Sequence, residues 1–368
     1  MIRIRAPGRI CLFGEHQDYL GYPVIALAID RYIFLEAKGI NSPKFEIYLP
    51  DINDCLEIPL NGKEIEYITK RDYLRSGYNL FLRNGISFEK GYKVRITGNI
   101  PINAGVSSSS ALVIAWLKFL NIISNNPFPS REDLALLGYQ TEVEEFNEAG
   151  GMMDHFTSTF GNLIYLEPTS SPLKFISRNI KLDNFILGHS LEKKETIKDL
   201  MRVKELNLRT FKLIKEIMPS FNQFSSNLDE IQEFLPSLEN KYQEKLIGNL
   251  LNRDLTRSAK KLLIDEFPVN LKHNSEIREK FYEQLGTLLT KHQDQLRETI
   301  KISTKKIDSM ISACLNKGAY GAKINGSGFG GTMFALCPGN KKKSIAEAIE
   351  NEGGQTYQIL TSEGVEVY

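Results

Sequence analysis

The sequence is poor in the residues that define several common protein classes. Four cysteines, Cys11, Cys55, Cys314 and Cys337, occur among 368 residues, with no C-x-x-C pair and no metal-ligand spacing. A disulfide framework and a zinc ribbon are therefore excluded, and reduced thiols in a cytosol are the expectation. No apolar run is long enough to span a bilayer, and the opening MIRIRAPGRI lacks the apolar core of a signal peptide. A cytoplasmic protein with no membrane partner is expected. Surplus charge of one sign is also missing: 46 basic against 45 acidic residues give a formal net charge of +1, which offers nucleic acid no general attraction. Neither G-x-x-x-x-G-K-[ST] nor an H-R-D loop with a D-F-G partner occurs, so P-loop NTPases and protein kinases are excluded.

What remains is a hydrophobic content of 42% with 25% charged residues, ordinary for a globular protein, on a chain long enough for two domains sharing a cleft. One stretch organises the rest: Asn99 to Phe119, NIPINAGVSSSSALVIAWLKF. Gly105 gives the backbone freedom for a tight loop. The serines 107–110 suit a helix N-terminus, where their hydroxyls would satisfy free backbone N–H groups. Those N–H groups and the helix dipole favour an anion. Ala111 to Leu120 is apolar on nearly every face, so the helix should be buried. The plain alternative is an ordinary capped helix after a turn; the surroundings decide between the two.

Strands are expected at Ile2–Pro7 and Ile10–Phe13. Two further runs, Pro23–Ile29 and Tyr32–Lys38, should be joined by a hairpin or tight corner at Asp30-Arg31. Lys44–Leu49, Tyr92–Thr97 and Asn162–Glu167 read as strands, and Arg71–Asn84 and Ser130 to about Asn147 as helices. GGMMDHFTSTFG starts another helix. Beyond a strand at Asn184–His189, residues 193–303 carry charged helical pattern broken near Pro219, Pro236 and Pro268, read as a solvated outer face. A helix at Lys305–Lys317, strands at Ala319–Ile324 and Thr332–Leu336 flanking a glycine turn, a helix at Lys342–Asn351, and strands at Gln355–Thr361 and Val365–Tyr368 close the chain. The grouping is α+β, with domains expected at 1–175 and 176–368.

Three segments, PGRICLFGEHQDYLGYPVIALAID, PINAGVSSSSALVIA and GAKINGSGFGG, resemble the three motifs of the GHMP small-molecule kinases, and the first is most similar to the galactokinases. GGMMDH likewise resembles the galactokinase G-I-M-D-Q segment. The motifs run in family order from Pro7 to Gly331. The resemblance implies a two-domain fold with the site in the inter-domain cleft, and an ATP- and Mg²⁺-dependent transfer of phosphate to the C1 hydroxyl of galactose or a close relative. Another GHMP kinase, acting on a different sugar, a uronic acid or mevalonate, and a non-catalytic sugar and nucleotide sensor are the alternatives. A small sugar and ATP are the partners expected, on a monomer or weak homodimer.

Residue by residue, the resemblance places the β- and γ-phosphates on Ala104, Gly105, Val106, Ser107, Ser108, Ser109 and Ser110. It places Mg²⁺ on Ser109, with Ser110 as a possible substitute in this longer serine run. The carboxylate that a hard cation also wants falls on Glu142, with Glu144 as runner-up, while Glu145 and Glu148 read as a solvated face. Asp154 is the candidate base or orienting group, held near Arg9, whose guanidinium could stabilise charge on the transferred phosphoryl. Glu15, His16 and Asp18, with Gly151, are the expected sugar clamp, since short carboxylates and an imidazole on one loop can serve several hydroxyls. Gln17, Tyr22 and His155 depart from the galactokinase pattern and are expected at or beside that clamp.

Overall fold

The computed structural model describes residues 1–101, 104–193, 196–268, 271 and 274–368. Its strands and helices are, in chain order, β1 (Ile2–Phe13), β2 (Val24–Ile40), β3 (Lys44–Leu49), β4 (Asp54–Pro59), α1 (Tyr73–Arg83), β5 (Gly91–Gly98), α2 (Ser108–Ile123), α3 (Arg131–Tyr139), α4 (Met153–Phe160), β6 (Leu163–Glu167), β7 (Lys174–Arg178) and β8 (Phe185–His189). They continue with α5 (Thr196–Ile217), α6 (Leu228–Ile231), α7 (Asn240–Lys260), α8 (Ser275–Glu298), α9 (Lys305–Asn316), β9 (Gly321–Asn325), β10 (Thr332–Leu336), α10 (Lys342–Asn351), β11 (Gln355–Ile359) and β12 (Glu366–Val367). The class is α+β, as the grouping of elements implied.

The first sheet runs β12-β1-β2-β5-β3-β4, with β6 paired to the near half of β2 and β7 paired to β6. Its core is the helix predicted from the serine run: Trp116, Phe119 and Leu120 of α2 are fully buried, and Phe45 meets Trp116 edge-on at 5.7 Å. The second sheet is antiparallel, β11-β8-β10-β9, with α9 and α10 packed on it. Among the described residues, no helix is long and apolar enough to cross a membrane.

Three expectations change. Asp30-Arg31 is not a hairpin: β2 is one strand of 17 residues, and those two are inserted where Pro7 pairs with Tyr32 and Gly8 with Ile29. That bulge has a purpose for the site. It brings β1 against the serine loop, where Arg9 donates its backbone N–H to the Val106 carbonyl at 3.1 Å and a Cβ on Gly8 would stand 2.5 Å from that oxygen. The division at 175/176 lies within β7, which still belongs to the first sheet, and β12 returns to that sheet from the C-terminal end. Finally, 193–303 is more than an outer face. Helices α5 and α7 bury Phe211, Ile214, Leu246 and Leu250 against Leu20 and Tyr22, next to the expected clamp.

Candidate active site

Arg9 stands on β1 and Asp154 in the first turn of α4, and they meet across the cleft. The guanidinium donates from Nε to Oδ1 at 2.7 Å and from Nη2 to Oδ2 at 2.9 Å, a fork-on-fork pair, and its Nη1 donates to the Gly105 carbonyl at 2.6 Å. Arg9 is 5% exposed, so the pair is shielded from solvent on its cationic side. The Ser107 hydroxyl donates to the same carboxylate. Ser107 therefore does not cap its helix as its residue type suggested: its backbone is left-handed (φ 63°) and its side chain makes no cap bond. The first N–H groups of α2 are left open at the cleft wall formed by Ser107 to Ser110, the arrangement that suits a phosphate.

Glu142 approaches from the other side, on a π-turn at Gln140–Glu144. Its carboxylate accepts from His155 Nε2 at 2.8 Å and faces the hydroxyls of Ser109 and Ser110. Burial works against its charge, but these hydrogen bonds hold it below the ordinary carboxylate range. Both serines expected at the metal thus reach the carboxylate expected with them. An oxygen donor set of this kind fits Mg²⁺, which binds through few protein oxygens plus phosphate.

At the opposite end Asp18 accepts from the backbone N–H of Tyr19 at 2.9 Å, and the backbone N–H of Met153, the first residue of α4, faces it. Burial, with the Asp154 charge beside it, pushes the carboxyl up to about 6. Gly151 lies so close that a Cβ there would fall 2.1 Å from Asp18 Oδ2. Arg9, Asp18, Gly105, Ser107 to Ser110, Glu142, Gly151 and Asp154 all line one cleft of about 1000 Å³ including its mouth. The third motif ties the cleft together. Asn325 donates to the Gly105 carbonyl at 2.9 Å, and Thr332 to the Ala104 carbonyl at 2.8 Å.

The model for the GHMP kinases N terminal domain matches residues 72–162, that for the GHMP kinases C terminal matches 274–356, and the galactokinase galactose-binding signature matches 2–38. A mevalonate kinase of Pyrococcus furiosus is 30% identical over 358 residues, spanning 95% of this chain and 92% of its own. The chain is a GHMP kinase. A galactokinase of Thermotoga maritima is 27% identical over 379 residues, 99% of each chain. In fold, the GHMP kinase is similar to Lactococcus lactis galactokinase complexed with galactose, at a TM-score of 0.84 and 20% identity, covering 99% of this chain and 94% of the other.

Several residues of the kinase lie elsewhere than the sequence suggested. Of the three departures from the galactokinase pattern, Gln17 and Tyr22 do not face the cleft. Gln17 is fully buried and donates to the Asn249 carbonyl of α7 at 2.9 Å, and Tyr22 donates to the Gln223 carbonyl at 3.0 Å. His155 reaches the cleft at Glu142, the phosphate end, and not at Asp18. Glu145 and Glu148 are not a solvated face either. Glu148 accepts two bonds from Arg71 at 2.8 and 2.7 Å and one from Tyr73 at 2.9 Å, and Arg71 and Glu148 both line the cleft. Glu145 is held by Arg83 and Tyr67. Sequence reading also missed Lys323, which is fully buried and bonded to Glu15. A lysine inside the apolar strand AYGAKIN was the available signal, because a buried cation needs a partner. Leu200 of α5, another cleft residue, carries no signal in its charged surroundings.

Proposed function

We propose that the chain is an ATP- and Mg²⁺-dependent sugar kinase that phosphorylates the anomeric C1 hydroxyl of galactose or a close relative. The observation that carries this reading is Asp154, held by Arg9 and Ser107 between the open N-terminus of α2 and the Asp18–Gly151 corner. A phosphate chain on the serine loop would place its terminal phosphoryl beside Asp154, and a hydroxyl from the Asp18 side would meet it in line. Asp154 would orient that hydroxyl or take its proton, while Arg9 faces the developing charge. Ser109 and Glu142 would hold Mg²⁺, which when bound supplies charge neutralisation at the phosphates.

Charge at the cleft supports a neutral polyol over an acid. Both arginines that line it are committed, Arg9 to Asp154 and Arg71 to Glu148, whereas Asp18 accepts a backbone N–H from Tyr19 and has no salt bridge among the described residues. The carboxylate of mevalonate or of a uronic acid would meet Asp18 and not a cation, at a cost in affinity. A sugar hydroxyl would donate to Asp18. The galactose-binding signature over 2–38 and the galactokinase relatives point the same way.

The test is a coupled ADP-release assay with Mg·ATP over galactose, other monosaccharides, galacturonate and mevalonate. Turnover of galactose at ordinary kinase rates supports the reading. Turnover of mevalonate or galacturonate alone overturns it. Binding of sugar and ATP with no turnover of anything points to a sensor.

A further inference from the structure

Two neighbours in the first turn of α4 face different parts of the cleft. Asp154 is held by Arg9 and Ser107, whereas His155 turns to Glu142 and places Nε2 2.8 Å from Oε2. Both His155 and Glu142 are buried, and both line the cleft wall. An ionised carboxylate only accepts, so Nε2 carries the proton. The other ring nitrogen, Nδ1, is buried with no hydrogen-bond partner among the described residues. The imidazole therefore commits its polar chemistry to Glu142 alone. A side chain placed only to fill the core would do better apolar, because an unpaired buried nitrogen costs free energy.

Packing fixes both members of the contact. Gly138 of α3 leaves the ring so little room that a Cβ there would stand 3.2 Å from His155 Cδ2, and the Tyr139 ring meets the imidazole edge-on at 6.1 Å. Glu142 follows α3 on the π-turn Gln140–Glu144, a kind of turn that recurs at functional sites. Its neighbour Thr141 is tied on both sides: the Ser76 hydroxyl donates to the Thr141 carbonyl at 2.9 Å, and the Thr141 hydroxyl donates to the Leu137 carbonyl at 2.7 Å. With turn and ring both held, His155 pins one oxygen of Glu142 and leaves Oε1 for a cation. Burial opposes the charge on Glu142, and the bond from His155 does most to offset it. His155 is not suited to bind the metal itself, since Nε2 is protonated towards Glu142 and Mg²⁺ takes oxygen ligands.

We propose that His155 is a positioning residue for the metal: by holding Oε2 of Glu142 it presents Oε1 to Mg²⁺ at the serine loop, in place of the glutamine of the galactokinase pattern. The proposal rests on the Mg·ATP part of the reading above and not on the identity of the sugar. Partners that orient a metal-binding carboxylate in this way are worth about 10- to 100-fold in metal affinity.

The experiment compares His155→Leu, His155→Gln, Glu142→Gln and the double variant His155→Leu/Glu142→Gln. ADP affinity is measured by calorimetry with and without Mg²⁺, and Mn²⁺ binding to the enzyme–ADP complex by electron paramagnetic resonance. His155→Leu should weaken both Mg·ADP and Mn²⁺ binding about tenfold or more, with metal-free ADP affinity within about twofold of wild type. His155→Gln restores an N–H donor and should recover most of the loss. The double variant leaves no buried charge stranded, and it should bind Mg·ADP no more weakly than Glu142→Gln, because His155 acts through that carboxylate. That comparison still judges the proposal where His155→Leu does not fold. A double variant weaker than Glu142→Gln overturns it, as does a His155→Gln no better than His155→Leu. ADP affinity that falls equally with and without Mg²⁺ makes His155 a structural support only, which also overturns it. Wild type that binds ADP equally well with and without Mg²⁺ fails the metal reading first, before any variant is compared, and the proposal falls with it.

Discussion

The Ser107 hydroxyl is bonded to Asp154, a carboxylate 47 residues further along the chain, in place of the helix it introduces. Two functions follow from that single bond. Asp154 gains a third donor beside the two from Arg9, which fixes its plane. The start of α2 keeps its N–H groups unsatisfied by the protein, which is what an anion site requires. The strained, left-handed backbone at Ser107 fits a residue held by its side chain to a functional group.

Asp154→Asn is expected to abolish turnover, with kcat down by about 10²–10⁴-fold, the range for losing a positioned acid–base group. The amide can accept from Arg9 through one atom only, because its NH₂ faces a guanidinium donor. Nucleotide affinity, measured by calorimetry, should stay within about twofold, as the amide oxygen can still accept from the Ser107 hydroxyl and hold the phosphate loop. Loss of nucleotide binding together with turnover would make Asp154 a structural residue.

Magnesium dependence separates the two serines that reach Glu142. Ser109→Ala should raise the Mg²⁺ concentration for half-maximal rate about tenfold, as expected when one of few protein oxygens is removed. Glu142→Gln should raise it further, and Ser110→Ala should change it little. Titration of rate against Mg²⁺ at fixed ATP is the measurement. A large effect from Ser110→Ala alone moves the metal to the later serine.

Asp18 gives a pH signature. Its folded value, about 6, lies above the ordinary carboxylate value of 3.8, so the folded chain holds this proton more tightly than the unfolded chain. Its contribution to stability is therefore full below pH 4 and is lost as pH rises through about 6. For a side chain still partly open to solvent, that loss is about 1–2 kcal/mol. Asp18→Asn removes the repulsion from Asp154, so it should raise the melting temperature relative to wild type at pH 7.5 and not at pH 4. Wild-type kcat/KM for the sugar should climb through about pH 6, as Asp18 becomes the acceptor a hydroxyl needs, and the climb should vanish in Asp18→Asn. A profile that keeps its limb near 6 in the variant assigns the limb to another group.

Much of this site was legible because its chemistry sits in short, ordered motifs. The serine run stood out from local pattern, whereas Arg9, Asp154 and Glu142 were named through the family resemblance, and all line one cleft. What the pattern hid was orientation. In Glu15-His16-Gln17-Asp18, residue type says nothing about which side chains turn inward, because the answer depends on Lys323, Ser327 and Asn249, 232 to 311 positions away. Asp30-Arg31 looked like a turn because two charged residues interrupt apolar runs. A bulge gives the same signature, and only the pairing of Gly8 with Ile29 tells them apart. The helices of 193–303 read as solvated because their charge is spread evenly, while Asn249, Arg253 and His292 within them are buried.

Gly151 is the position where a single methyl group tests the substrate corner. A Cβ there would stand 2.1 Å from Oδ2 and 2.2 Å from Cγ of Asp18, closer than any non-bonded contact, so the carboxylate has to move. Asp18 also faces the N–H of Met153 at the start of α4, and a shift there disturbs the turn that carries Asp154. Gly151→Ala is therefore expected to raise the sugar KM by about tenfold and to lower kcat, in line with the sensitivity of positioned groups to displacements near 1 Å. The KM for ATP should change little. The decisive comparison is with Asp18→Ala. If the methyl acts by displacing that carboxylate, the Gly151→Ala/Asp18→Ala double variant should be no worse than Asp18→Ala alone, because the group to be displaced is gone. Losses that multiply in the double variant would show that Gly151 serves the site by a route independent of Asp18, such as the entry of the chain into α4.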